Sequence, residues 1–311
     1  MRTAPAASAA SPLLDEATHS GSTWQVKVFP GAGEAVAFIP ADGDPLATPE
    51  WAVDAELAAT FADRHGQLFD VGAPVVEPRV ESPEEEAARQ KRNRLNAARR
   101  ARARSRRYCK ANRLSRLWTL TFADAVYDRR TVVASLNALA RALRAQFGEA
   151  FPYLWAIEEH ESGALHVHLA AGRIVALRCR SCDPDKQGKG LHQDDMRKWA
   201  PCLRCTWGHG FVLAQKFKGQ KGNGRKASAA VAGYVAKYVG KDVEGCEPGE
   251  KSYDVGRGFK PGEVVFEVTG TSGEALAVVA AVYFDGGGPG FVWSSEDVED
   301  WYGPPVRVAF W

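Results

Sequence analysis

No stretch of this chain approaches the roughly 20 consecutive apolar residues that a membrane-spanning helix needs. The first residues, 1–14, are rich in alanine and serine. They lack an apolar run after a basic start, so no secretory leader is expected. Cysteine is scarce, at 6 of 311 residues. Without a leader those thiols read as metal ligands rather than disulfides. The nucleotide-binding spacing Gly-x-x-x-x-Gly-Lys-Ser/Thr is absent, as is any helicase motif. The expectation is a cytoplasmic protein with no membrane contact and no motor of its own.

Acid is missing from one segment. Thirteen Lys and Arg and no Asp or Glu lie between Arg89 and Arg116. The chain's net charge is +2, and with those thirteen charges set aside it becomes −11. Residues 82–113 read as a helix. Ser82 suits the N-cap, Pro83 the first helical position, and Glu84, Glu85 and Glu86 the positive end of the dipole. Almost no apolar stripe runs along it, and a helix polar all round needs a partner. Nucleic acid suits that much arginine, which makes Arg99, Arg100, Arg102, Arg104, Arg106 and Arg107 candidate DNA contacts. A solvated basic linker is the plain alternative.

What remains is ordinary for a globular protein, with 45% apolar and 25% charged residues. Strands are expected over 24–29 and 35–39, and a helix over 50–65. Further on, a strand at 117–122 precedes an amphipathic helix at 128–147. Strands at 153–159 and 164–175 join across Ser162-Gly163, a hairpin signal. A strand over 211–217 and a helix over 227–239 follow, then strands at 263–269 and 274–284. The order predicts an α+β fold: a central antiparallel sheet with helices on one side. Four regions result. Residues 1–80 form an accessory region, partly disordered, and 81–116 the basic helix. Residues 117–258 form the main domain with an insert at 176–208, and 259–311 a small β-rich appendage.

Two patterns carry chemistry. His166 and His168 are separated by one apolar residue, so on a strand they share a face that can hold a divalent metal. Glu158, Glu159 and His160 on the preceding strand are candidates for a third ligand. An odd hairpin loop puts Glu158 opposite His166 and an even one puts Glu159 there. A mixed histidine and carboxylate site suits Mg²⁺ or Mn²⁺. Downstream, Tyr234 and Tyr238 lie on one face of a helix with Lys237 and Lys241 beside them. A tyrosine has a pKa near 10. It becomes a better nucleophile beside cations that favour the phenolate. Read separately, each pattern could be ordinary: surface histidines on a sheet, or the apolar stripe of a helix.

Cys179-x-x-Cys182 and Cys202-x-x-Cys205 are separated by 19 residues. Two such knuckles signal a zinc ribbon in which four thiolates close the Zn²⁺ tetrahedron and leave no position for water. Cys109 and Cys246 have no obvious partner and read as free thiols. Between the patterns lies a Gly/Lys loop in which Lys218 and Lys221 could hold a DNA backbone.

Leu120-Thr121-Phe122, then Glu158-x-x-x-x-Gly163-x-x-His166-x-His168, then Tyr234-Val235-Ala236-Lys237-Tyr238 resemble, in order, the three motifs of HUH endonucleases of the rolling-circle replication initiator type. The last is similar to the paired-tyrosine segment of single-stranded DNA phage initiators. The whole resembles initiators of actinobacterial plasmids and integrative elements over residues 114–242. The resemblance implies a nuclease fold that nicks single-stranded or extruded origin DNA. It implies a 5′-phosphotyrosine link and a free 3′-OH for synthesis. It makes His166 and His168 metal ligands with Glu158 as the third, Tyr234 the first-choice nucleophile, Tyr238 a second nucleophile or a packing aromatic, and Lys237 an assisting cation. It implies a host helicase and polymerase as partners. A plasmid-mobilisation relaxase and a non-enzymatic zinc-ribbon nucleic-acid-binding module are the alternatives.

Overall fold

The computed structural model describes residues 21–40, 82–147, 151–172, 202–214, 225–245, 253–297 and 305–311. In chain order the first elements are strands β1 (Ser22–Phe29) and β2 (Glu34–Phe38), helix α1 (Pro83–Ala111), strand β3 (Arg116–Phe122), helix α2 (Arg129–Phe147), and strands β4 (Tyr153–Glu159) and β5 (Leu165–Ala171). Then come α3 (Leu203–Trp207), β6 (Gly210–Ala214), α4 (Arg225–Gly245), β7 (Tyr253–Val255), β8 (Val264–Gly270), α5 (Ser272–Tyr283), β9 (Phe291–Ser294) and β10 (Val306–Phe310). The helix expected over 50–65, Cys179, Cys182, Cys246, Lys218 and Lys221 lie outside the described residues. The chain separates into two units, residues 1–59 with 262–311, and residues 60–261.

The 60–261 unit is built on a five-stranded sheet in the order β6-β3-β5-β4-β7. Every neighbouring pair is antiparallel. Its central strands are apolar on both faces. Trp118, Leu120, Trp155, Ile157, Val167 and Leu169 pack with Val132, Leu136, Leu139 and Leu143 of α2. Leu117, Leu154, Ala156 and Ala170 point the other way and pack with Val231, Val235 and Val239 of α4 and Tyr108 of α1. Helices therefore cover both faces, which corrects the expectation of helices on one side. The physical reason is that two apolar faces each need a cover. One of the covering helices, α1, shows little hydrophobicity in sequence.

The seam between α1 and α4 explains that helix. Ser82 accepts a hydrogen bond from Glu85 N–H, and the Glu85 carboxylate accepts one from Ser82 N–H, so a capping box starts α1. Ala98, Ala101, Ser105, Tyr108 and Cys109 are buried. Their spacing of three and four makes one stripe of mostly small side chains, and it lies along α4. The partner expected to be nucleic acid is, for this stripe, another helix. Alanine adds little hydropathy, yet it lets two helices approach closely, so the stripe is faint in the sequence. The guanidinium of Arg102 lies across Gly240 of α4, where any Cβ would collide with it. Filling the seam should weaken the fold. Ala101→Leu is expected to cost about 1–3 kcal/mol through overpacking, seen as a lower urea midpoint at unchanged slope.

The other unit joins the two ends of the chain in one antiparallel sheet of order β8-β1-β2-β10-β9. Segments 1–80 and 259–311, read apart in the sequence, thus contribute strands side by side. Pairing between residues as distant as Trp24 and Val268 leaves no local pattern to read. Of residues 274–284, expected as a strand, 274–283 belong to α5 and Phe284 is its C-cap. Thr271 accepts a hydrogen bond from Glu274 N–H at 3.1 Å, and the Glu274 carboxylate accepts one from Thr271 N–H at 2.7 Å. This is a capping box. Ala275, Leu276 and Val279 bury one face of the helix, while Val278 and Val282 are 40% and 65% exposed. Valines on both faces hide the helical period and mimic a strand.

Candidate active site

The hairpin between β4 and β5 sets the register. His160 N–H donates to Ala164 O at 2.9 Å, and Gly163 N–H donates to His160 O at 2.8 Å. Gly163 sits at φ +81°, a conformation that favours glycine. The loop of residues 160–164 is odd in length, and Glu158 falls opposite His166. Glu159 pairs with Leu165 and is exposed. Of the three candidates, the register thus puts Glu158 directly opposite His166.

Glu158, His166 and His168 converge. Glu158 Oε2 lies 3.0 Å from His166 Nε2 and 2.8 Å from His168 Nε2. The ligand-type atoms of the three residues all lie within 4.8 Å of one another. Two imidazole nitrogens and a carboxylate oxygen on one spot form a donor set that fits a divalent ion such as Mn²⁺ or Mg²⁺. His168 is only 3% exposed. Burial lowers its pKa below the ordinary imidazole value, against the opposing effect of its hydrogen bond to the Glu158 carboxylate. A lowered pKa keeps the ring neutral, as a metal ligand must be.

Behind the cluster stands a residue that no sequence motif marks. Thr119 of β3 lies opposite His168 on β5. Its hydroxyl is 3.3 Å from His168 Nδ1. A hydroxyl both donates and accepts, so it satisfies either tautomer of the ring. The two residues are 49 positions apart. Only the pairing of β3 with β5 reveals the contact.

Helix α4 lays its tyrosines over the cluster. Val231, Val235 and Val239 bury the face against the sheet and leave Tyr234 and Tyr238 half-buried. The Tyr238 ring stacks on His168 with centroids 4.1 Å apart, and the Tyr234 ring meets His168 edge-on at 5.8 Å. Tyr238 donates its hydroxyl hydrogen bond to the Tyr234 oxygen at 2.9 Å. Desolvation, the bond to Tyr234 and the nearby Glu158 charge all raise the pKa of Tyr238 well above the usual phenol value. Lys237 is exposed and its Nζ lies 5.7 Å from the Tyr238 ring centroid. Lys241, one helical turn beyond Tyr238, reaches Glu158 Oε1 at 3.8 Å. Its side chain is 67% exposed, so the pair contributes little stability.

The other expected residues that are described are not part of this cluster. Arg99 and Arg104 are exposed on α1, while Arg100, Arg102, Arg106 and Arg107 are half-buried. Cys202 is buried and caps α3, its Sγ accepting a hydrogen bond from Cys205 N–H at 3.4 Å. Trp207 anchors α3 by donating from Nε1 to Thr121 O at 3.2 Å on β3. Cys109 is a free, fully buried thiol whose pKa burial pushes up. Among the described residues, no helix is long and apolar enough to cross a membrane.

No curated protein and no solved structure matches the chain. Residues 115–243 match a family model of replication-associated proteins, the one that takes its name from ORF2. That span runs from the residue before β3 into the last turn of α4 and includes Glu158, both histidines and both tyrosines. Over residues 115–243 the chain is therefore similar to replication-associated proteins of the ORF2 family, which supports a Rep-type replication initiator.

Proposed function

We propose that the chain is a rolling-circle replication initiator of the HUH type, which nicks single-stranded or extruded origin DNA with a tyrosine. One observation carries the reading: the rings of Tyr234 and Tyr238, whose hydroxyls are hydrogen-bonded to each other, contact His168, one of three residues whose ligand atoms converge on a single spot. In this reading Glu158, His166 and His168 hold a divalent metal. When bound, that ion supplies electrophilic polarisation of a phosphate oxygen.

The protein's own groups do the rest. Tyr234 gives up its phenolic proton as Oη attacks the phosphorus, the bond from phosphorus to O3′ breaks, and O3′ takes up a proton and leaves as a hydroxyl. The products are a 5′-phosphotyrosine and a free 3′-OH. Tyr238 steadies the charge that develops on Tyr234 Oη through its hydrogen bond. Lys237 supplies positive charge beside the tyrosines. Exposed arginines of α1 hold the backbone of the DNA. Cys202 and Cys205 form half of a structural Zn²⁺ ribbon with Cys179 and Cys182, and Lys218 and Lys221 add backbone contacts. A host helicase and polymerase follow the nick.

The test is direct. Full-length protein incubated with a single-stranded oligonucleotide bearing an origin hairpin, and with Mn²⁺ or Mg²⁺, is expected to give a protein–DNA adduct that survives denaturing electrophoresis. Noncovalent binding with no adduct in either metal would overturn the proposal and leave a nucleic-acid-binding module.

A further inference from the structure

On the opposite face of the sheet from Glu158 lies a second feature, which the cleavage reading does not use. A cleft of ≈ 230 Å³ opens between α2 and the segment around β7. Asn137, Arg141 and Arg144 of α2 form one wall, and Asp254 and Arg257 the other, with Tyr153 of β4 between them. Tyr153 is five residues before Glu158, an odd offset, so its side chain leaves the sheet on the other face. At 3.3 Å per residue the two positions are separated by about 17 Å along β4. The cleft is a separate site and not an extension of the histidine cluster.

Its chemistry selects an anion. Three guanidinium groups converge there against one carboxylate. That carboxylate, on Asp254, already accepts a hydrogen bond from Val255 N–H at 2.9 Å. Arg141 and Arg144 are three apart on α2 and share a face. Arg144 Nε is buried and makes no hydrogen bond among the described residues. A buried donor left without an acceptor is costly, and an anion in the cleft would satisfy it. Arginine's planar fork matches phosphate oxygens in pairs. Among the described residues the same cleft exposes no ring to read a base. Tyr153 is 6% exposed, and the Arg144 guanidinium lies 5.7 Å from its ring centroid.

We infer that the cleft between α2 and β7 binds a phosphate group of a nucleic acid, indifferent to the base attached to it. The phosphate belongs either to a DNA strand held away from the cleaved bond or to a free nucleotide. The inference needs nucleic-acid binding but not cleavage, so it survives a failure of the nicking proposal.

The experiment measures binding of full-length protein without added divalent metal. A labelled single-stranded oligonucleotide is followed by anisotropy across a salt series, and dAMP by calorimetry. Arg141→Gln and Arg257→Gln alter exposed side chains, so both should fold. Arg130→Gln, also exposed on α2 but outside the cleft, controls for general charge. For a DNA strand, each cleft variant should bind several-fold more weakly than the control. Each should also show a salt slope shallower by about 0.7, the share of one single-strand phosphate contact. For a free nucleotide, dAMP should bind the unaltered protein and be lost in the cleft variants only. The inference is overturned if neither ligand is weakened beyond the Arg130→Gln control.

Discussion

Tyr234→Phe is expected to abolish the covalent protein–DNA adduct, while Tyr238→Phe should slow adduct formation about ten- to a hundredfold. The asymmetry follows from one hydrogen bond. The Tyr238 hydroxyl is hydrogen-bonded to the Tyr234 oxygen at 2.9 Å. Negative charge developing on Tyr234 Oη therefore gains a donor that already points at it. A hydrogen bond to a charged group contributes about 1.5–3 kcal/mol, and each 1.36 kcal/mol is about tenfold in rate. Tyr238 has the opposite environment. Burial, its own donated bond and the Glu158 carboxylate all resist its ionisation, so it is the poorer first nucleophile at neutral pH. Both variants keep the ring and hence its contact with His168, so the folded helix should persist in each. Mapping the nucleotide-bearing peptide of the unaltered protein checks the same point without mutation. An adduct of full yield in Tyr234→Phe, with the nucleotide on Tyr238, would overturn the assignment. Adducts on both tyrosines in successive turnovers would instead make Tyr238 the second nucleophile.

How much of this site could be read in the sequence depends on the range over which its parts interact. His166 and His168 are two apart and Tyr234 and Tyr238 four apart. Strand and helix periods therefore place each pair on one face before any tertiary contact is known. Placing Glu158 opposite His166 needed one more fact, the parity of the hairpin loop, which a local turn fixes. Thr119 needed the pairing of β3 with β5, and nothing near Thr119 in sequence announces it. The same limit governs the fold. Strands β3, β4 and β5 alternate or run apolar and are legible alone. The cover on the second sheet face is α4 together with α1, and the buried stripe of α1 is mostly alanine and serine among arginines. Charge dominates the reading of such a segment, and close helix packing leaves only a faint mark in hydropathy. Helix α5 was hidden for the converse reason, since its apolar residues surround the axis.

Glu158→Gln is expected to weaken Mn²⁺ binding more than about 100-fold, and Thr119→Val about 10- to 100-fold. The second figure is the usual cost of removing an outer partner of a metal-bound histidine. The first must exceed it, because the substitution removes the one carboxylate that, among the described residues, joins the two imidazoles in this cluster. The amide is nearly the same shape, so the contacts of Glu158 with both histidines lose charge rather than packing. Glu159→Gln is the matched control. That residue pairs with Leu165 and is exposed, and its substitution should leave the affinity unchanged. Titration of full-length protein with Mn²⁺, followed by electron paramagnetic resonance, measures all three. The pH dependence has a definite sign. Protons compete with metal for His168 only below its folded pKa. Burial sets that value under the ordinary 6.5 or so of imidazole. This ring should therefore not cost the site affinity as the pH falls from 8 toward about 6.5, and should begin to do so below that. Affinity lost in Glu159→Gln but kept in Glu158→Gln would place the metal on the other face of the hairpin and sink the site as assigned.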